Sequence, residues 1–116
     1  MALTPRQLAE KAAELAASKK AEDVVVMDLR RITDFTDWFV VCTATSDVQM
    51  RAVADAIVEG LEKIQHKVWH SEGYEVRRWI LLDYVNVVVH VFLPETRAYY
   101  ALERLWGDAP IHTYES

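Results

Sequence analysis

One run of the sequence constrains the fold more than any other: WILLDYVNVVVHVF, from Trp79 to Phe92, which is apolar apart from an Asp, an Asn and a His. Side chains alternate between the two faces of a strand, so each position in such a run can be assigned to a face. A two-residue turn at Val85-Asn86 predicts a β-hairpin that pairs Leu81 with His90. One face of this hairpin is purely apolar and consists of Ile80, Leu82, Tyr84, Val87, Val89 and Val91.

The other face of the hairpin carries the polar residues of the run apart from the turn Asn86, and consists of Trp79, Leu81, Asp83, His90 and Phe92. In a structural interpretation, Asp83 and His90 form a cross-strand hydrogen bond that fixes the register. In a functional interpretation, the face binds a partner, with Trp79 as an aromatic anchor beside polar groups that give selectivity. The sequence leaves both open.

A catalytic role for Asp83 and His90 is the third interpretation, because a carboxylate that orients an imidazole is half of many catalytic sites. The nucleophile is missing. Cys42 lies in the middle of an apolar run, where a thiol is usually inert packing. His66 and His70 share a strand face and could bind a metal with Asp83 or Glu72, but ordinary surface histidines are expected, so no metal or cofactor is predicted.

The remaining pattern predicts an α/β fold in the order α-β-β-α-β-β-β-α, a single layered domain over residues 1–116 with a mixed five-stranded sheet and flanking helices. Thr4 and Gln7 form a capping box for the first helix, and Ser46 with Gln49 repeats the pattern for the second. The other predicted elements are strands at 23–30, 37–45 and 67–71 and a third helix from 94 to 106.

The third predicted helix ends at Gly107, where a left-handed residue usually terminates a helix. Helical spacing puts one apolar group on a common side, where it is expected to join the core: Tyr99, Leu102, Leu105 and Trp106. Arg97, Tyr100 and Arg104 lie on the opposite side. There they either extend a binding surface or are solvated.

Composition limits the function of the chain. The formal net charge is -5 and the pI is near 5.3, which disfavours nucleic-acid binding and suits a basic protein partner. The three glycines are far apart, so no phosphate-binding loop is predicted. A single cysteine and the lack of an apolar run of membrane-spanning length lead us to expect a cytoplasmic protein.

Two long segments carry a family resemblance: TDWFVVCTATSDVQMRAVAD (36–55) and EGYEVRRWILLDYVNVVVHVFLPETRAYYALERLWGDAP (72–110). They resemble the ribosomal silencing factor family, also called the iojap-like family. The resemblance implies a nucleotidyltransferase-like α/β fold that has lost catalysis. It also implies a translation repressor that binds the large ribosomal subunit through its ribosomal protein fourteen, on the inter-subunit face, and blocks joining of the small subunit.

From these observations we predict a partner-binding surface made of Trp79, Leu81, Asp83, Tyr84, His90, Arg97 and Tyr100. A homodimer is left open. One alternative is a nucleotidyltransferase-like enzyme that uses Asp83 and His90. Another is an RNA-binding module with a basic patch at Arg30, Arg31, Arg77 and Arg78.

The chain departs from the family at the hairpin turn, where members commonly have a glycine and this chain has Val85. A β-branched residue resists positive φ. We therefore expect Asn86 to take the left-handed position, with a bulge.

Overall fold

The computed structural model of the chain describes residues 3–114. Its helices are α1 (Pro5–Ser18), α2 (Asp47–Lys63), α3 (Pro94–Tyr100) and α4 (Leu102–Leu105). Its strands are β1 (Glu22–Asp28), β2 (Trp38–Thr43), β3 (His70–Glu72), β4 (Trp79–Asp83), β5 (Val87–Phe92) and β6 (Ile111–Thr113). They form one sheet in the order β3-β4-β5-β2-β1-β6, in which β2 and β5 are parallel. The predicted mixed α/β class is confirmed.

Within residues 3–114 the sheet has six strands where the sequence predicted five. The additional strand β6 follows Pro110 and pairs antiparallel with β1, with His112 opposite Val26. All three of its residues are exposed, so it has no apolar alternation by which it could be recognised. Its partner, rather than its own composition, makes it a strand.

The hairpin register predicted for Trp79–Phe92 is confirmed. Trp79 lies opposite Phe92 and Leu81 opposite His90, with no shift along the ladder. The apolar face of the hairpin packs under α1 and α2 in the larger of two cores. Alanines on the buried side of α1 (Ala9, Ala12, Ala13 and Ala16) are fully buried, and their small size lets the helix lie close to the sheet.

Both predicted helix starts are confirmed, but the second one differs in detail. Ser46 Oγ accepts a hydrogen bond from the Gln49 N–H, as predicted. The Gln49 side chain does not complete a capping box. Instead its amide nitrogen donates to the carbonyls of Lys19 and Lys20, at 3.2 and 3.0 Å. Gln49 thus ties the end of α1 to the start of α2 by satisfying carbonyls that the helix end leaves free.

The hairpin turn corrects the expectation for Asn86. Val85 itself has a φ of +73°, and Asn86 is not left-handed. The turn is held by the Asp83 carboxylate, which accepts a hydrogen bond of 2.7 Å from the Val85 N–H. The Asn86 N–H donates to the Tyr84 carbonyl at 2.9 Å. These two bonds hold a β-branched residue in a conformation that it resists on its own.

Val85→Gly is expected to raise the free energy of unfolding by about 1 kcal/mol, because glycine takes positive φ without steric cost. Val85 is more than half exposed, so little buried apolar area is lost. Val76→Gly is the matched control, because Val76 is also exposed but is not among the residues with positive φ. Urea unfolding of both variants measures the difference. A Val85→Gly variant that is destabilised as much as the control would contradict the expectation.

The third helix predicted from 94 to 106 is wrong in one respect, because it breaks at Ala101, which has a φ of +45°. Gly107 is not left-handed, contrary to expectation. The break changes which side chains face inward. Leu102 is buried and Trp106 half-buried, as predicted, but Tyr99 and Leu105 are 82% and 69% exposed instead of joining the core.

Candidate partner-binding groove

The sheet face opposite α1 and α2 is only partly covered, and an apolar groove of about 700 Å³ lies along it. Its floor contains Phe39, Leu81, Val88 and His90, which belong to β2, β4 and β5. Its rim is made by Phe35, Trp69, Val85 and Leu105, which come from three loops and α4. We call this surface the apolar groove.

Large apolar side chains of the rim face solvent. Trp69 is 71%, Leu105 69% and Phe35 59% exposed. A single exposed apolar residue is ordinary, but a contiguous group around a concave surface marks a binding site. In the part of the chain that the structure describes, Asp83 supplies the only carboxylate of the lining, and no lysine or arginine contributes to it. The groove therefore suits an apolar segment of a partner whose neighbouring surface is neutral or basic.

The groove brings together four of the predicted site residues: Trp79, Leu81, Asp83 and His90. The predicted hydrogen bond between Asp83 and His90 is absent, however. Asp83 holds the Val85 N–H, and His90 Nδ1 accepts from the Trp79 indole N–H at 3.0 Å. Burial lowers the pKa of His90 to about 3, so the ring is neutral at physiological pH. A carboxylate-imidazole pair for catalysis is therefore not formed.

Cys42 gives no support to a catalytic interpretation either. Its side chain packs in the core under α1 and α2, on the opposite side of the sheet from His90. Burial raises the pKa of the thiol to about 12, so the nucleophilic thiolate is disfavoured. The thiol acts as packing, as expected for a cysteine in an apolar strand.

Tyr84 was predicted at the partner surface, and the structure corrects this assignment. Its side chain is buried in the core under α1 and α2, on the same face as Ile80 and Leu82. Strand alternation requires this placement, because residues 80, 82 and 84 point to one side. Burial raises the pKa of the Tyr84 hydroxyl. Its role is packing.

Arg97 is the second correction. Its side chain is only 12% exposed and does not line the groove. The guanidinium forms an ion pair with Glu103 at 2.8 Å and donates to the Asp23 carbonyl and the Thr43 hydroxyl, both at 2.8 Å. Arg97 thus joins α3 and α4 to the ends of β1 and β2. Its donors are used within the chain.

Tyr100 is exposed, as the partner interpretation requires, but it lies beside the groove. Its ring contacts the ring of Trp79, with centroids 4.6 Å apart. Together with Tyr99 and Val76, both largely exposed, it borders a second depression on the far side of Trp79, which Arg78, Glu95 and Thr96 also line. Trp79 therefore separates two neighbouring parts of one exposed surface.

Sequence patterns did not reveal the rim residues Phe35 and Trp69, and helical spacing wrongly assigned Leu105 to the core. Phe35 lies in a connecting segment, so face assignment does not apply to it, and its signal was composition alone: a large aromatic residue in a polar segment. Trp69 falls within the strand predicted at 67–71, but the observed strand β3 begins at His70, so Trp69 lies in the loop before it.

The four arginines proposed as an RNA-binding patch do not come together. Arg30 and Arg31 follow the end of β1, whereas Arg77 and Arg78 precede β4, and the strand pairings place these at opposite ends of the sheet. Arg30 is also bound to Asp28 by two hydrogen bonds of 2.9 and 2.8 Å. This pair lowers the pKa of Asp28. The basic residues are thus separated and partly neutralised.

Within residues 3–114 no three His, Cys, Asp or Glu side chains are grouped closely enough to hold a metal ion. His70 instead lies 3.5 Å from Glu72 on the exposed edge strand β3. None of the helices in this range has both the length and the apolar character needed to cross a membrane.

Comparisons with known proteins agree with this architecture. The family model described as "Ribosomal silencing factor during starvation" matches residues 2–116. The chain is 39% identical over 108 residues to the "Ribosomal silencing factor RsfS" of Halalkalibacterium halodurans, covering 93% of this chain and 92% of that protein. A crystal structure of a Chromobacterium violaceum protein superposes with a TM-score of 0.88 at 32% identity, covering 90% of this chain and 88% of the other.

A more distant relative is the mouse "Mitochondrial assembly of ribosomal large subunit protein 1", which is 30% identical over 95 residues. That match covers 79% of this chain and 42% of the mouse protein. The family model and the bacterial relative each span nearly the whole sequence. The chain belongs to the ribosomal silencing factor family.

Proposed function

We propose that this protein is a cytoplasmic, non-enzymatic repressor of translation that binds the large ribosomal subunit at its inter-subunit face and sterically blocks small-subunit joining. Membership of the silencing-factor family supports the repression, and the name of the mouse relative supports the large subunit as partner. The observation that carries the proposal is the apolar groove, whose rim of large exposed side chains is a surface for binding rather than for catalysis.

Charge supports a basic protein as the direct contact, for which we propose ribosomal protein fourteen of the large subunit. The chain has a formal net charge of -5, and the carboxylate at the groove is Asp83. Opposite charge around an apolar contact accelerates association and excludes acidic partners. Ribosomal RNA, which is strongly anionic, is disfavoured by the same charge.

Steric exclusion needs affinity and bulk but no chemical step. The described part of the chain measures 33 × 32 × 27 Å along its principal axes. A folded body of this size, held on the joining face, prevents the small subunit from approaching. Because repression by steric exclusion involves no chemical step, the groove needs no nucleophile, metal or phosphate-binding loop.

Co-sedimentation tests the proposal directly. Purified protein is mixed with isolated large subunits and pelleted, and small subunits are then added to score joined particles. We expect the protein to pellet with large subunits and to reduce joining in proportion to occupancy. A folded protein that does not bind large subunits would overturn the proposal. Sedimentation velocity of the free protein shows whether it self-associates.

The rim side chains are expected to supply most of the binding energy. Trp69→Ala should weaken binding to large subunits by about 2 kcal/mol, since tryptophan is enriched among residues that dominate interfaces, and Leu105→Ala by about 1 kcal/mol. Both residues are largely exposed, so folding should change little. Val48→Ala is the matched control, because Val48 is 72% exposed on α2, on the other side of the sheet. Equal affinities for all three variants would remove the groove from the interface.

Trp79, the anchor expected from sequence, is a poorer probe of binding. Its indole supports His90 by a hydrogen bond and contacts Phe92 and Tyr100, with ring centroids 5.0 and 4.6 Å apart. Truncation of Trp79 therefore damages the fold of the groove as well as any contact made there. Substitution of the exposed rim residues removes a possible contact with the partner without this damage to the fold.

A further inference from the structure

The floor of the apolar groove contains a hydrogen-bond donor that is not used within the described chain. His90 is buried, and its Nε2 atom has no hydrogen-bond partner there. The other ring nitrogen, Nδ1, accepts from the Trp79 indole N–H at 3.0 Å. An indole nitrogen can only donate, so Nδ1 carries no proton. In the neutral ring the proton is therefore on Nε2.

This arrangement fixes the chemistry of the floor. The Trp79 indole acts as a positioning group that selects one tautomer and turns Nε2 into a donor. The ring is also held by packing, because its centroid lies 4.5 Å from that of Phe39 in an edge-to-face contact. Nearly all buried polar groups in folded proteins have a partner. Thr36 Oγ1 and the Tyr84 hydroxyl are also unpaired within residues 3–114, but of these three residues His90 is the one that lines the groove, where a bound partner can supply the acceptor.

The acceptor must be an uncharged oxygen. The lining contains the Asp83 carboxylate and, in the part that the structure describes, neither lysine nor arginine. The net charge of the chain is -5. A carboxylate or phosphate on the partner would be repelled and would lose its water without gaining a cation. A main-chain carbonyl, a hydroxyl or a side-chain amide oxygen avoids both penalties.

We infer that the partner inserts an apolar protein segment into the groove and that an uncharged oxygen of this segment accepts a hydrogen bond from His90 Nε2. This inference rests on the proposed function, since it concerns the same groove. It makes His90 a residue that determines specificity, because a purely apolar segment would leave the donor unpaired and an acidic segment would be excluded.

Nε2 is covered in the free chain, with less than 1 Å² accessible. The acceptor therefore reaches it by displacing a lining side chain. The lining residues that lie outside the sheet are free to move without breaking strand pairing, and they are Phe35, Trp69 and Val85 in loops and Leu102, Leu105 and Trp106 in α4 and its C-cap.

Two substitutions of His90 separate its hydrogen-bonding groups. His90→Asn keeps an acceptor near the Trp79 indole but has no donor at the position of Nε2. His90→Gln is longer and carries an amide N–H close to that position. Binding of each variant to isolated large subunits is measured by co-sedimentation, after thermal unfolding has shown that each is folded.

We expect His90→Asn to bind about tenfold more weakly than the parent, since the partner's acceptor is left unpaired, and His90→Gln to regain most of the affinity. A folded His90→Asn variant with the affinity of the parent overturns the inference and leaves the proposed function standing. Failure of the parent itself to bind large subunits overturns the proposed function. A matching loss of binding to protein-free ribosomal RNA would show that the occupant is RNA, against the inference.

The tautomer provides a test that needs no variant. Nitrogen NMR of the free, uniformly labelled protein distinguishes a protonated ring nitrogen from a bare one. We expect a protonated Nε2 and a bare Nδ1. The opposite tautomer would remove the donor from the groove and overturn the inference even if neither variant folds.

Discussion

Gly73→Ala is expected to lower the free energy of unfolding by about 3 kcal/mol or more, the sum of a steric clash and a backbone penalty. A Cβ atom at this position would overlap the carbonyl oxygen of Trp79 and lie 3.0 Å from its carbonyl carbon. These are backbone atoms at the start of β4, which cannot move without disturbing the sheet. The φ of Gly73 is +91°, which an alanine resists in any surroundings.

Gly107→Ala is the matched control for this prediction. A Cβ there meets a single backbone atom, the Arg104 carbonyl oxygen at 3.2 Å, and Gly107 does not have positive φ. Its cost is expected to stay below about 1 kcal/mol. Chemical denaturation of both variants gives the comparison. Losses of similar size would show that the close approach at Trp79 relaxes easily.

The backbone shift caused by Gly73→Ala should also change the structure of the apolar groove. The residue that it approaches, Trp79, holds His90 through its indole N–H. If Trp79 shifts, the floor loses the group that orients the imidazole. We therefore expect the Gly73→Ala variant to bind large subunits poorly even under conditions in which it remains folded.

The parts of the fold that the sequence predicted are those determined by local pattern. The register of the hairpin follows from a turn position and from the alternation of side chains, both of which lie within 79–92. The start of α1 follows from Thr4 and Gln7, which are neighbours on one helical turn. These features need no knowledge of the remaining chain.

The parts that were missed depend on contacts between distant segments. Strand β6 exists because β1 offers it a free edge. The break at Ala101 is accompanied by an ion pair between Arg97 in α3 and Glu103 in α4, and Arg97 also reaches Asp23 and Thr43. Helical spacing alone cannot reveal these competing interactions, so the sequence predicted one continuous helix.

The candidate site shows the same division. Alternation placed Trp79, Leu81, Asp83 and His90 on one face, and all four line the groove. Alternation assigns a side chain to a face but does not determine its hydrogen-bond partner. In the structure Asp83 accepts from the N–H of the strained turn residue Val85, and His90 accepts from the Trp79 indole. The rim depends on how β2 and β5 pair in parallel, which brings loops from distant parts of the chain around one floor.

The stability of the protein is expected to fall as the pH decreases from about 6.5 towards 3, and His90 is the main cause. Burial lowers the pKa of His90 from 6.5 in the unfolded chain to about 3 in the folded protein. Between these values the unfolded state binds a proton that the folded state does not, so acid favours unfolding. The slope contributed by one such group is about 1.4 kcal/mol per pH unit, or roughly 3 kcal/mol over two units.

His90→Gln isolates this contribution, because glutamine does not titrate and can retain polar contacts in the pocket. Urea unfolding at pH 7, 6, 5 and 4 should give a steep loss of stability for the parent and a shallower one for the variant. The lowered pKa of Asp28 adds a loss of the same sign as the pH falls, but it is common to both proteins and cancels in their difference. Parallel stability curves would mean that His90 takes up a proton in the folded state. A protonated Nδ1 cannot accept a hydrogen bond from the Trp79 indole. The same measurement therefore also tests the bond on which the assignment of His90 Nε2 as a donor rests.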